Sequence, residues 1–182
     1  MKRIALTGGI GVGKTYISQQ FIDIGIPVFN MDVEAKKIYA TKEYIEFIRN
    51  EFGDELVVND EVSIPKLGEL LFKDKISRNK VQKYVHPIIM KMFNDWCNPV
   101  DDLRHEVEYP PFVICECAIL YEAGLEQYFD KVWVVDTPFK TRFERIKKRN
   151  PNLSETDILR RINAQMPQEK KVGAADLIIS NP

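Results

Sequence analysis

Eight residues near the N-terminus, Gly8-Gly9-Ile10-Gly11-Val12-Gly13-Lys14-Thr15, carry the most specific chemistry in this sequence. They fit G-x-x-x-x-G-K-[ST] at every fixed position and directly follow an apolar run, Ile4-Ala5-Leu6. Average residue usage gives on the order of 0.01 chance matches in a chain of 182 residues. The pattern therefore reads as a phosphate-binding loop. Gly8, Gly9, Gly11 and Gly13 let successive N–H groups, that of Val12 included, turn inward around polyphosphate oxygens. A helix opening at Lys14 adds its positive end and the first-turn amides of Thr15 and Tyr16. Lys14 can neutralise β/γ oxygens, and the Thr15 hydroxyl can ligate Mg²⁺. A nucleoside triphosphate and Mg²⁺ are the expected ligands.

Carboxylates decide what such a loop does. Asp32 follows a short apolar run, Pro27 to Met31, at the sheet edge where the loop must also open. There its carboxylate can act as a base toward an acceptor hydroxyl; the competing role is to cap a helix beginning near Glu34. Glu116 ends another apolar run, where a carboxylate can hold Mg²⁺ directly or through water, and Glu122 is its nearby rival. Arg142, Arg145, Lys147, Lys148 and Arg149 crowd the segment Thr141–Arg149, and Arg160 and Arg161 follow in the next helical segment. In a phosphoryl-transfer enzyme a basic helix pair of this kind is where a lid supplies arginines; otherwise it is a solvated face.

Positioning these groups requires a parallel sheet. Apolar runs at Arg3–Thr7, Pro27–Met31, Phe112–Cys117, Val132–Asp136 and Asp176–Ser180 are mostly continuous rather than alternating, as in strands buried on both faces. Helical segments separate them, which predicts a three-layer α/β fold around a central parallel five-stranded sheet, with ligands at its C-terminal edge. Some eighty residues separate the second run from the third, too many for one crossover, so an insert must lie between them. It reads as helical at Glu34–Ala40, Lys42–Phe52, Pro65–Leu71 and Asn79–Cys97. Tyr44, Phe47, Ile48, Val81, Tyr84, Ile88, Met92 and Phe93 are its expected packing residues. The expected division is one domain over 1–182: a nucleotide-binding core (1–32 and 108–182), a helical acceptor subdomain (33–107), and a helical lid (140–166) within the core.

A formal net charge of −1 gives no electrostatic reason to expect nucleic acid or a membrane surface as partner. Three cysteines, Cys97, Cys115 and Cys117, form neither an even set nor a metal-binding spacing and read as reduced core thiols. No apolar run approaches membrane-spanning length. A cytoplasmic protein with a small-molecule substrate, monomeric or weakly self-associating, is expected.

Several further pieces appear in order along the chain: Thr7 to Lys14, Phe29-Asn30-Met31-Asp32, His86-Pro87, Ile119-Leu120-Tyr121-Glu122-Ala123-Gly124-Leu125, Val134-Val135-Asp136, Arg161-Ile162-Asn163-Ala164-Gln165 and Ala175-Asp176-Leu177-Ile178-Ile179. Together they resemble the dephospho-coenzyme A kinase family nearly end to end. That resemblance implies transfer of the ATP γ-phosphate to the ribose 3′-hydroxyl of dephospho-coenzyme A, the last step of coenzyme A synthesis. It implies Asp32 as the base, Lys14 and the loop amides on the phosphates, and Thr15 at Mg²⁺, which leaves Glu116 and Glu122 as the rival carboxylates for the metal. Arg149 would stabilise charge on the transferring oxygens, and the insert would be the coenzyme A domain with His86 near the acceptor. The sequence departs from the family at Asn30, usually aspartate, at Ala118, usually proline, and at Tyr16, commonly Ser or Thr. The family also continues past its last strand with another helix, whereas this sequence stops at Pro182. Two other readings compete. A kinase of another small acceptor, such as a nucleoside monophosphate, would need acceptor-binding arginines in the insert, and Glu34 to Tyr84 offers only Arg49 and Arg78. A nucleotide-dependent switch would favour an N-K-x-D stretch, which does not occur.

Overall fold

The computed structural model describes residues 1–102 and 111–182. It resolves two compact units, Met1–Asn30 with Cys97–Pro182, and Met31–Trp96. The expected boundary at 107/108 lies outside the described residues.

In the first unit, five strands form one parallel sheet: β1 (Lys2–Thr7), β2 (Val28–Asn30), β5 (Phe112–Glu116), β6 (Lys131–Asp136) and β7 (Leu177–Ser180), in the order β2-β5-β1-β6-β7. The continuous apolar runs behave as runs buried on both faces should: Ile4, Ala5 and Leu6 of β1 and Val113, Ile114 and Cys115 of β5 have almost no exposure. Ile4, Leu6, Val12, Ile17, Ile114 and Val135 make one cluster, extended by Phe21, Phe112 and Trp133, whose rings meet edge-on or tilted at 5.2–6.5 Å. The edge strand β7 departs from this pattern, because Leu177 and Ile178 are about half exposed. Side chains of a strand point to the two faces of the sheet, so an apolar run is exposed wherever little packs on those faces.

Register decides what stands at the C-terminal edge. Glu116 pairs with Leu6 on one side and Asn30 on the other, which brings the last residues of β2 and β5 into one row with the penultimate residue of β1, just below the loop that follows Thr7. Helix α1 (Lys14–Asp23) opens after Gly13, whose φ of 87° is left-handed. A side chain is excluded at Gly11 for a second reason: a Cβ there would stand 2.7 Å from the backbone oxygen of Arg142. After β6 come α6 (Phe139–Arg149), α7 (Glu155–Asn163) and α8 (Gln168–Gly173). Ser154, with Asp157 three residues on, makes a near capping box and caps α7 by accepting the Asp157 amide at 3.1 Å.

The second unit holds α2 (Met31–Tyr39), α3 (Lys42–Phe52), α4 (Ile64–Lys73) and all but the last turns of α5 (Lys75–Asp102). It is not wholly helical: β3 (Val57–Val58) and β4 (Glu61–Val62) form an antiparallel hairpin across Asn59 and Asp60, both at positive φ. Two-residue strands carry no period, so only the Asn-Asp turn could have signalled them. Helix α5 buries Val81, Val85, Ile89 and Phe93 at intervals of four, a single ridge. Ile88 lies on its flank and is exposed, contrary to the expectation that it packs. Tyr39, Tyr44, Phe47, Phe52 and Tyr84 form an aromatic cluster with Phe47 and Tyr84 stacked at 4.1 Å. Burial, then the neighbouring Tyr39 and Tyr84 hydroxyls, hold the Tyr44 phenol well above the ordinary tyrosine range.

Candidate active site

The loop between β1 and α1 closes on itself, with the Lys14 ammonium donating to the Gly8 carbonyl at 2.9 Å. Among the described residues, the amides of Gly11, Gly13, Thr15 and Tyr16 meet no acceptor in the chain. Helix starts leave such donors over, and here they belong to the residues expected to bind phosphate.

Beneath the loop, Glu116 is 3 % exposed and accepts three side-chain donors: Thr15 Oγ1 at 3.0 Å, Ser18 Oγ at 2.8 Å and Asn30 Nδ2 at 3.2 Å. Thr15 and Glu116 are thus in direct contact. A Mg²⁺ that keeps most of its ligands as water and substrate phosphate needs only a hydroxyl and a carboxylate so disposed, and this pair fits that requirement. Among the described residues no cluster of three His, Cys, Asp or Glu side chains could hold a metal unaided. Glu122 is engaged elsewhere: its Oε1 accepts from the fully buried Lys171 ammonium and from the Met166 amide, each at 2.8 Å.

Asp32 is the second residue of α2, exposed, two residues after Asn30. It lies in the second unit, where its charge adds to burial in raising the Tyr39 phenol above its ordinary value. His86, also in the second unit, is half-buried on α5; burial lowers its imidazole below the usual range, and it has no hydrogen-bond partner among the described residues. Arg149 ends α6 exposed and with no ion pair among the described residues.

Several residues that the motif analysis left unassigned hold the loop. Arg142, nearly buried, donates from Nε to the Ile10 carbonyl at 3.1 Å. Burial lowers the pKa of its guanidinium, against the opposing pull of Glu169 and Asp136. Arg145 donates to the Val12 carbonyl at 3.4 Å, and Asn181 Nδ2 donates to the same oxygen at 2.8 Å. Gln165 Oε1 accepts from the Ile10 amide at 2.7 Å and Gln168 Oε1 from the Gly9 amide at 2.9 Å. The arginines announce themselves by their i, i+3 spacing on α6. Neutral glutamines in a connecting segment have no such pattern.

A parallel five-stranded sheet with its phosphate loop after the central strand and a carboxylate beside the loop threonine places this chain among the phosphate-loop kinase folds. Shikimate kinase from Acinetobacter baumannii shares the fold, with a TM-score of 0.54 at 13% identity over 100% of this chain and 84% of that one. A family model described as dephospho-CoA kinase matches residues 2–182, and the chain belongs to that family of kinases. It is 36% identical to dephospho-CoA kinase of Bacillus thuringiensis over 98% of this chain and 87% of that protein, and 34% identical to that of Listeria monocytogenes over 99% and 88%. TT1252 from Thermus thermophilus superposes with a TM-score of 0.81 at 28% identity, covering 100% of this chain and 88% of that one. No helix among the described residues is long and apolar enough to cross a membrane.

Proposed function

We propose that this chain transfers the γ-phosphoryl group of ATP to the ribose 3′-hydroxyl of dephospho-coenzyme A. Family membership over nearly the whole chain names the acceptor, and the Thr15–Glu116 contact beneath the phosphate loop is the observation that carries the chemistry. The unsatisfied amides of Gly11, Gly13, Thr15 and Tyr16, with Lys14, hold the polyphosphate, while Gly8 and Gly9 let the backbone turn and Val12 anchors the loop in the core. Thr15 and Glu116 would hold Mg²⁺, which when bound would supply charge neutralisation on the phosphates.

Asp32 takes the proton of the 3′-hydroxyl as its oxygen bonds to the γ-phosphorus; the bond from that phosphorus to the β–γ bridging oxygen breaks, and ADP leaves. An exposed carboxylate at the start of α2 suits that task, since it is open to an incoming hydroxyl. Arg149 stabilises charge on the transferring oxygens. Its support is positional: Arg142, Arg145 and Arg149 share one face of α6, the first two grip loop carbonyls, and Arg149 stands one turn farther along that face, unpaired among the described residues. Residues 140–166 form the lid, 33–107 the acceptor subdomain with His86 near the substrate, and the chain works in the cytoplasm as a monomer or weak oligomer.

The test is ADP formation from Mg²⁺-ATP with dephospho-coenzyme A, AMP, CMP, adenosine or no acceptor, with mass spectrometry of the product. Gain of one phosphate on dephospho-coenzyme A alone is expected. Turnover of a nucleotide or nucleoside in its place overturns the acceptor.

A further inference from the structure

The phosphate loop is gripped at its entry by side chains from both ends of the α6–α7 helix pair, and that grip has a definite chemistry. Ile10 is held at both peptide groups: its N–H donates to Gln165 Oε1 at 2.7 Å, after α7, and its carbonyl accepts from Arg142 Nε at 3.1 Å, in the first turns of α6. The preceding Gly9 N–H donates to Gln168 Oε1 at 2.9 Å. Gln168 is itself immobilised, because it is buried and its Nε2 donates to the Val135 carbonyl at 2.9 Å and to Asp136 Oδ1 at 3.0 Å. The turn bearing both glutamines is seated in its own right by Glu122, which accepts the Met166 amide and is paired to buried Lys171.

We propose that Gln165 and Gln168 are positioning residues for the phosphate loop, setting the angle at which its nucleotide-facing amides are presented, with Glu122 and Lys171 as their foundation. Each amide has one hydrogen to donate, so Gly9 and Ile10 give theirs to glutamine and the donors available to phosphate begin at Gly11. Amides that must meet phosphate oxygens within hydrogen-bond tolerance lose affinity when the backbone leading into them is free to rotate. The inference rests on the nucleotide reading of the loop above.

The test replaces Gln165 and, separately, Gln168 with Met, which keeps the length and removes the acceptor. For Gln165→Met the KM for ATP rises about tenfold, whereas kcat at saturating ATP and the KM for dephospho-coenzyme A stay within about twofold. Amide hydrogen exchange at Ile10 accelerates while that of β1 does not, a readout that a general loss of stability would move at both places. Gln168→Met shows the same split at Gly9, with a lower thermal midpoint because its Nε2 contacts are lost as well. Faster Ile10 exchange with an unchanged KM for ATP overturns the proposal, since the bond would then exist without positioning anything. Equal losses for both substrates together with a lower midpoint in Gln165→Met also overturn it, in favour of a purely structural role. If the unaltered chain does not bind Mg²⁺-ATP, the proposed function itself falls.

Discussion

The Glu122–Lys171 pair offers a direct measurement of what holds the segment behind the phosphate loop. Lys171 has no exposure; its ammonium reaches Glu122 at 2.8 Å and the Ala118 carbonyl at 3.2 Å, and Glu122 is 20% exposed. Lys171→Met removes the cation but leaves a carboxylate whose Oε2 is already buried without a partner. Breaking a buried pair from one side costs about 3–5 kcal/mol, and the partial exposure of Glu122 lowers the expectation to about 2–4 kcal/mol. A chain of this length loses about 2–4 °C of thermal midpoint per kcal/mol, so the midpoint should fall by about 4–16 °C. Glu122→Leu should cost a similar amount, because it strands a buried ammonium and the Met166 N–H together. The double variant removes both charges and strands only neutral groups, so it should be less damaging than the sum of the two by about 2 kcal/mol or more. Urea denaturation of the four proteins at one concentration gives the cycle. Additivity within about 0.5 kcal/mol, or a cost for Lys171→Met below about 1 kcal/mol, would refute the reasoning, because the two charges would then not depend on each other.

Asp32→Asn should lower kcat by about 100-fold and leave the Kd for ATP within about twofold, measured by coupled assay and calorimetry; a lower thermal midpoint with kcat intact would instead assign Asp32 to stabilising the first turn of α2. Glu116→Gln should raise the Mg²⁺ concentration for half-maximal rate by about tenfold, and an unchanged Mg²⁺ dependence would remove Glu116 from the metal. Burial holds the His86 imidazole below its ordinary 6.5, so the unfolded chain takes up its proton first. Its contribution to stability is complete above that value and is lost as the pH falls below it. The thermal midpoint should therefore drop more between about pH 7.5 and about pH 5.5 in the unaltered chain than in His86→Gln, and equal drops would rule out His86 as the group responsible.

The parts of this molecule that could be read in advance are those where physics leaves a periodic or stoichiometric trace. Ile4-Ala5-Leu6 and Val113-Ile114-Cys115 announce strands because a strand covered on both faces has no polar side to alternate with. Lys42–Phe52 announces its helix to the residue, because Thr41 caps one end and Gly53 the other. The hairpin at Val57–Val62 left no such trace, since strands of two residues carry no period and are made by their turn. Burial at Leu177 and Ile178 was overstated for a related reason: composition records that a strand is apolar, whereas what packs on its two faces decides whether it is covered, and of the two edge strands β2 buries Phe29 while β7 leaves Leu177 and Ile178 half exposed.

A similar division runs through the site. Lys14, Thr15 and Glu116 stood out because phosphate and Mg²⁺ demand particular functional groups at particular places, and the register Leu6–Glu116–Asn30 explains how residues about a hundred positions apart meet: adjacent parallel strands end in one row. Gln165 stood out only as the end of a family motif, without a role, and Gln168 not at all, because holding a backbone amide demands only an oxygen at the right distance, which many residues can supply. Glu122 shows the same limit from the other side. As a carboxylate shortly after a strand it competes with Glu116 for a role at the metal, and its contact with Lys171 and Met166 assigns it to the frame of the loop. Residue type records what a group can do. Which partner reaches it decides what it does: the α7–α8 segment reaches Glu122, whereas Glu116 meets Thr15, Ser18 and Asn30.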